Sequence, residues 1–591
     1  MTATIPTAFS AATEGGIPVT FSGCAGFYHP GGGDVAVLMC SAWGYEELCV
    51  RASWRRMAAE LAAAGFPTLR FDYPGVCDSL GASTEPWRLD DWIDAAKAAA
   101  ALLLDISQAR RIIVLGQGLG AGVAILVAQQ LSRVEGLVLL ASFSKGRAYV
   151  RELSVSATML ADAAGVSIAA RADGSLTMLG FELPASFVGD LKKLNFLELE
   201  SLPAPRVLLV DRVQSQQELA NHFNFLGAAV EQVPYTGYEE LVSNPTITEH
   251  PREVFSGIVD HMLAWSGDRT RPFNSTPRAP QPAKPLAGPS WRETPLHLAN
   301  GHVFGVFCEP LTPRVESVAL FLNCGANPHT GWRRMTVDHA RVLAAHGIAS
   351  LRIDTTGIGD CPAPIDFGER IYTQAQTADV LAAVDWLAGQ GRGKVSVIGV
   401  CSGAYQAFHA AIRDPRIEQA IIINLVVFAR DPARSVSELI KYHSRSNTEY
   451  FSRVLDRDGL IKLLKGQAPI RKLLSVVLGR IADSAKYKLM WLIHSLVGKK
   501  LLNEPQKRLA ELAARGTRIS FVTSAGDLGE DELTKYFGKN CVGLRAYDNV
   551  TWSRIQNADH NLTTQESVDW LRDHLLARLD DPIKSSFRQA S

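Results

Sequence analysis

Two stretches 282 residues apart carry the same pattern, and a repeat of that period restricts this chain more than any other feature of its sequence. Ala58 to Asp78 (AAELAAAGFPTLRFDYPGVCD) matches Ala340 to Asp360 (ARVLAAHGIASLRIDTTGIGD). The strand-like Val134 to Leu140 pairs with Ile417 to Ile423 at a spacing of 283. Solenoid and propeller units recur every ~20–50 residues, so a period this long denotes two whole domains and a tandem duplication. Between the copies, Ser266 to Trp291 (SGDRTRPFNSTPRAPQPAKPLAGPSW) is rich in proline and has no apolar periodicity. Proline fixes its own φ and withholds a hydrogen-bond donor, so this stretch is expected to be a semi-extended linker. The expected division is residues 1–265, a linker over 266–291, and residues 292–591.

Within each half, short β-branched runs alternate with alanine- and leucine-rich helical stretches. That alternation predicts an α/β domain: a mostly parallel sheet covered by helices, with ligands at the carboxyl ends of the strands. Val318 to Leu322 and Ser350 to Ile353 read as strands, as do Ile421 to Val427 and Ile519 to Thr523. About 90 residues separate the last two, more than a connection needs, and the excess at about 430–510 is expected to be a helical cap.

The segment with the most chemistry is Gly399-Val400-Cys401-Ser402-Gly403. It follows the apolar Val395 to Ile398 and precedes a helical pattern beginning at Ala404. A cysteine framed by glycines two residues away on each side sits at a tight strand-to-helix elbow, where only small neighbours let strand and helix approach. The helix N-terminus favours the thiolate and any oxyanion beside it. An elbow of the same outline, Gly116-Gln117-Gly118-Leu119-Gly120, lies 283 residues earlier. Glycine stands there at the nucleophile position, so the first copy is read as catalytically dead.

The motif LRIDTTGIGD resembles the LRFDYRGxGxS segment of the serine aminopeptidase and lysophospholipase-like branch of the α/β-hydrolase fold, a form that FDYPGVCDS in the first half follows more closely. The resemblance implies two tandem α/β-hydrolase domains, each with a cap insertion. It also implies the chain order nucleophile, acid, histidine. Cys401 would then be the nucleophile. Asp527, in the turn after Ile519 to Thr523, would be the acid, and His560, in Asn557-Ala558-Asp559-His560, the base. The amide of Ser402 and one from the loop Asn323-Cys324-Gly325-Ala326, assigned to Gly325, would receive the oxyanion. Glu530 and Asp531 compete for the acid's place, Asp559 is expected to cap or orient the histidine loop, and Cys324 and Cys361 are read as structural. In the first half the segment equivalent to the histidine loop, Pro234 to Glu240, has no histidine; His250 stands in what looks like the start of a terminal helix.

A formal net charge of zero argues against a chain built as a whole for nucleic acid. The N-terminus lacks the pattern of a secretion signal, and no apolar window is long enough to span a bilayer. Nine scattered cysteines without a CxxC pair indicate neither a disulfide framework nor a zinc cluster. A cytoplasmic setting fits this, with no cofactor and no metal expected. Between Arg430 and Ala510 basic residues outnumber acids, which suits an acyl-CoA or acyl carrier protein thioester; contact with an anionic membrane ranks lower. A thiolate is both a strong nucleophile and a good leaving group, so the expected activity is cysteine-dependent acyl transfer or thioester hydrolysis. Ester or lactone hydrolysis by the same triad is the alternative, and a non-catalytic binding or scaffold protein is the competitor from another class.

Overall fold

The computed structural model describes residues 14–166, 173–212, 216–266, 283–363, 369–430, 435–436 and 503–580. Nearly all of the expected cap, with its basic residues from Lys441 to Lys500, and most of the expected linker lie outside the described residues. The chain clusters into two compact units: 1–316 with 326–367 and 576–591, and 317–325 with 368–575. Among the described residues no helix is long and apolar enough to cross a membrane.

The first unit carries an eight-stranded sheet. In chain order its strands are β1 (Ile17–Phe21), β2 (Cys24–His29), β3 (Val35–Cys40), β4 (Thr68–Phe71), β5 (Arg111–Gln117) and β6 (Val134–Leu140). A separate hairpin of β7 (Leu176–Met178) and β8 (Phe181–Leu183) precedes the last two, β9 (Arg206–Asp211) and β10 (Ala229–Pro234). The order across the sheet is β1-β2-β4-β3-β5-β6-β9-β10. Only the β1–β2 and β2–β4 pairings are antiparallel.

Both faces of this sheet are buried, as parallel strands flanked by helices require. Ala36, Leu38 and Cys40 of β3 enter one apolar cluster, and Val35, Val37 and Met39 enter another; β5, β6 and β9 alternate in the same way. The hairpin and the helices Gly146–Ala164 and Ala185–Lys193 occupy the connection between β6 and β9, the place of a cap.

The first unit also takes in β11 (Leu286–Ala287), β12 (Trp291–Leu298), β13 (Val303–Pro310) and, further along the chain, β15 (Ser350–Asp354), paired antiparallel in that order. This grouping by contact differs from the grouping by sequence repeat. Its physical reason is a cluster of buried ion pairs. His329 donates through Nε2 to Asp78 at 2.6 Å and through Nδ1 to Asp354 at 2.7 Å. Asp78 also accepts from Arg352, which holds Glu293 at 2.6 Å. Asp360 accepts from both Arg51 and Arg70, at 2.8 and 2.5 Å. Burial opposes a charge on His329, but Asp78 and Asp354 outweigh it and raise its pKa to about 10. Burial likewise opposes the Asp78 and Asp360 carboxylates, which their cationic neighbours hold well below the ordinary range.

The second unit contains five parallel strands in the order β14 (Val318–Phe321), β16 (Val395–Val400), β17 (Ile417–Ile423), β18 (Arg518–Ser524) and β19 (Val550–Ile555). β16 leads directly into the helix Ser402–Arg413. One strand ends earlier than the apolar run Ile421 to Val427 predicts. β17 stops at Ile423 because Asn424 takes φ +50°, and its side chain is held by neighbouring strand ends.

The ion cluster yields a pH-dependent prediction. An unfolded histidine titrates near about 6.5, so the contribution of His329 is complete below that pH and fades as pH rises through about 10. Asp78, depressed in the fold, contributes above about pH 4 and is lost on acidification. Asp78→Ala leaves buried cations without their partner and is expected to cost about 3–5 kcal/mol by urea denaturation. The deficit relative to wild type should be largest near pH 5–6.5 and narrow toward pH 10.

Candidate active site

The end of β16 turns so sharply that Cys401 takes φ +57° and ψ −115°. Such a conformation costs a non-glycine residue about 1–3 kcal/mol and persists only where its surroundings fix it. They do so here. The Cys401 amide donates to the carbonyl of Ile423 at 3.0 Å. A Cβ on Gly399 would lie 2.1 Å from the Gly403 carbonyl oxygen, and one on Gly403 would lie 2.5 Å from that of Asn323, so neither position admits a side chain. The turn leaves Cys401 partly exposed at the N-terminus of a 12-residue helix.

His560 and Asp527 arrive from the ends of β19 and β18. The His560 Nδ1–H donates to Asp527 Oδ2 at 2.8 Å, leaving the other ring nitrogen to act on Cys401, whose charge bears on that of the ring. Asp527 also caps the helix Leu528–Phe537, accepting from the Gly529 amide at 2.8 Å, and its side chain is only 8% exposed. The neighbouring Glu530 is turned elsewhere, to the Gly526 amide and Arg554. Asp559 caps the histidine loop by accepting from the Asn561 and Thr563 amides.

The electrostatics favour a charged pair. The hydrogen bond from Cys324 is the largest influence lowering the Cys401 pKa; burial opposes it, and His560 and Tyr372 add to it, so the thiol is held well below its ordinary range. His560 is disfavoured as a cation by burial, yet Asp527 and Cys401 together raise it well above an ordinary histidine. Cys324 is pushed the other way by its bond to Cys401 and by burial, and keeps its proton.

Three residues of the site were not assigned to it from sequence. Tyr372, buried and at φ +59°, places its hydroxyl 3.8 Å from Cys401 Sγ. Cys324, read as structural, is the largest influence on the Cys401 thiol. Asn424 ties three strand ends together: Oδ1 accepts from the Ser524 amide at 2.7 Å, and Nδ2 donates to Ser524 Oγ and to the His560 carbonyl at 3.0 and 2.9 Å. An asparagine at positive φ directly after a buried strand is the signal that could have found it. Of the two amides expected to receive an oxyanion, that of Gly325 donates instead to Ser402 Oγ at 2.9 Å, so it is engaged within the turn.

The earlier elbow has nearly the same backbone, with Gly118 at φ 54° and ψ −119°. A Cβ there would lie 2.3 Å from Glu46 Oε2. The Glu46 carboxylate occupies the place of a nucleophile's side chain, held by Gln117 at 2.9 Å and the Tyr238 hydroxyl at 3.1 Å. His250 faces Glu60 and Phe255 rather than this elbow. Groups with metal-ligand chemistry do occur in the first unit: Glu47 with Asp72 and Cys77, and His329 with Asp354 and Asp360. Arg51, Arg70 and the doubly bonded His329 already occupy these oxygens, so the residues present do not fit a metal.

Alkylation by iodoacetamide reads the state of Cys401, because the seven cysteines other than Cys324 and Cys401 are buried. A thiolate is lost as pH falls through its pKa, so a depressed pKa keeps wild type reactive at pH values where an ordinary cysteine is protonated. His560→Ala removes one cause of that depression. Its alkylation midpoint should move toward about 8.5, with the rate at pH 6 falling ~10–100-fold, and Tyr372→Phe should move it less in the same direction.

Residues 28–306 match the alpha/beta hydrolase family, a span that includes the Gly118 elbow and stops short of Cys401, Asp527 and His560. A comparison with curated proteins finds no match. Similar solved structures include an esterase of Pyrococcus furiosus, 15% identical, covering 49% of this chain and 91% of its own with a TM-score of 0.30. Est1E from Butyrivibrio proteoclasticus is 12% identical, covering 42% of this chain and 98% of its own with a TM-score of 0.28. An alpha-beta serine hydrolase homologue from Coxiella burnetii is 10% identical, covering 49% and 96% with a TM-score of 0.28. The family match and the strand order of the first sheet agree: this chain has the α/β-hydrolase fold, built of mostly parallel sheets flanked by helices.

Proposed function

We propose that the protein is a cysteine-dependent acyl-transfer or thioester-hydrolysing enzyme working through an acyl-Cys401 intermediate. The observation that carries this reading is the placement of Cys401 at a strained strand-to-helix turn beside the His560–Asp527 pair, with neighbours that lower the thiol's pKa. The thiolate attacks the acyl carbonyl, and the negative charge that develops is received at the N-terminus of the Ser402–Arg413 helix, whose first amide is that of Ser402. The Gly325 amide joins it once Ser402 Oγ rotates away. His560, protonated in the resting pair, delivers its proton to the leaving group. It then takes one from water or from an acceptor, which attacks the acyl-cysteine. Asp527 orients the ring and stabilises its cationic form.

An acyl-CoA or acyl carrier protein thioester is the donor this reading favours, because a thiol–thioester exchange is nearly isoenergetic. The duplication enters the same reading: residues 1–265 are a non-catalytic copy, residues 292–591 the active one, and free cysteines suit a reducing cytoplasm. An aromatic cleft in the first unit is lined by Trp43, Trp87, Trp92 and Phe181 together with Arg333 and Arg334 from the second half of the sequence. Ester or lactone hydrolysis by the same three residues is the second reading, favoured by the match to the alpha/beta hydrolase family.

Intact-protein mass spectrometry after incubation with acyl-CoA and acyl-carrier thioesters tests the proposal. Wild type should gain the acyl mass or release free thiol with turnover, and Cys401→Ala should do neither. Asp527→Asn should lower turnover at least ~100-fold. Turnover of simple esters with silence toward every thioester would select the second reading. Silence toward both would leave a binding protein.

A further inference from the structure

The mechanism leaves one thiol unused. Cys324 lies on the loop after β14, which packs against the turn that carries Cys401. The two backbones are held together on either side of the two cysteines. The Gly325 amide reaches Ser402 Oγ at 2.9 Å, and Gly403 is packed tightly beneath the Asn323 carbonyl. Among nine cysteines, Cys324 and Cys401 alone are partly exposed, while the other seven are buried. We infer that Cys324 and Cys401 form a site of reversible oxidation, in which a sulfenic acid on Cys401 is captured by Cys324 as an intramolecular disulfide.

The chemistry uses hydrogen peroxide as oxidant. The Cys401 thiolate attacks one peroxide oxygen and the O–O bond breaks. The departing hydroxide takes the proton of His560 and leaves as water. Cys401 sulfur has then lost two electrons, peroxide has gained them, and the product is a sulfenic acid. The Cys324 sulfur next attacks Cys401 sulfur, its proton passes to the departing hydroxyl, and a second water leaves as the S–S bond forms. Two thiols and one peroxide give one disulfide and two waters. A disulfide needs sulfurs about 2.05 Å apart, and the contacts flanking both residues, Gly325 to Ser402 and Gly403 to Asn323, keep the two backbones close enough for the side chains to turn toward each other. The bond withdraws the nucleophile while shielding it from the irreversible sulfinic and sulfonic states. The inference requires only the two thiols and holds for either substrate class considered above.

The test treats the full-length protein with hydrogen peroxide and reads intact mass and a non-reducing peptide map. Wild type should lose the mass of two hydrogens and yield one peptide pair joining Cys324 to Cys401, both reversed by dithiothreitol. Cys324→Ser should show neither change and should instead accumulate two or three oxygens on Cys401. Wild type that remains unoxidised, that gains oxygens on Cys401 without the joined peptides, or that links other cysteines would overturn the proposal, as would a Cys324→Ser protein indistinguishable from wild type. Acyl adducts on Cys401 are measured on unoxidised protein, so failure of this inference and failure of the proposed activity are read separately.

Discussion

The backbone turn at Cys401 is the constraint on which the site is built. A residue forced to φ +57° at the end of a buried strand cannot lie along the sheet, so its side chain is lifted to the carboxyl edge while its amide stays bonded to β17. Both glycines of the frame serve this close approach of strand and helix. Everything else is delivered to the same edge. β18 brings Asp527, β19 brings His560, and Asn424 at the end of β17 fastens both strand ends to a fixed separation. The electrostatics follow from the placement, because a thiol, an imidazole and a carboxylate in one chain of hydrogen bonds settle their charges jointly.

Much of this was legible in the sequence because it depends on local spacing. A glycine frame around a small nucleophile, an acid in the turn after a buried strand, and a histidine near the end of the last strand are short-range patterns. The elbow reads from its spacing alone, whereas Asp527 and His560 follow from the resemblance to the α/β-hydrolase fold; the structure pairs those two side chains at 2.8 Å. Other members of the site follow only from tertiary placement. Tyr372 reaches Cys401 across 29 residues of chain, and Cys324 does so from another strand end. Ile421 to Val427 reads as one apolar strand, yet a side-chain clamp at Asn424 ends it, and hydrophobic periodicity carries no trace of such a clamp.

The grouping of strands into units was illegible for a related reason. Arg51, Arg70, Asp78, Glu293 and Arg352 look in sequence like residues for a solvated surface, since charges are seldom buried unless paired. In the fold each finds an opposite partner in a segment hundreds of positions away or, for Glu293 and Arg352, two strands across the sheet. Such a cluster is costly to bury and more costly to break, so it specifies which segments meet more strongly than it stabilises them.

Glu46 and Gly118 are mechanically coupled. The Glu46 carboxyl group fills the space a Cβ at position 118 would enter, and Gln117 and Tyr238 hold it there. A side chain introduced at position 118 alone would have to displace Glu46 from both partners, while shortening Glu46 alone would open a void and leave the Gln117 amide and the Tyr238 hydroxyl without their acceptor. The two positions therefore tolerate change as a pair more readily than either does singly.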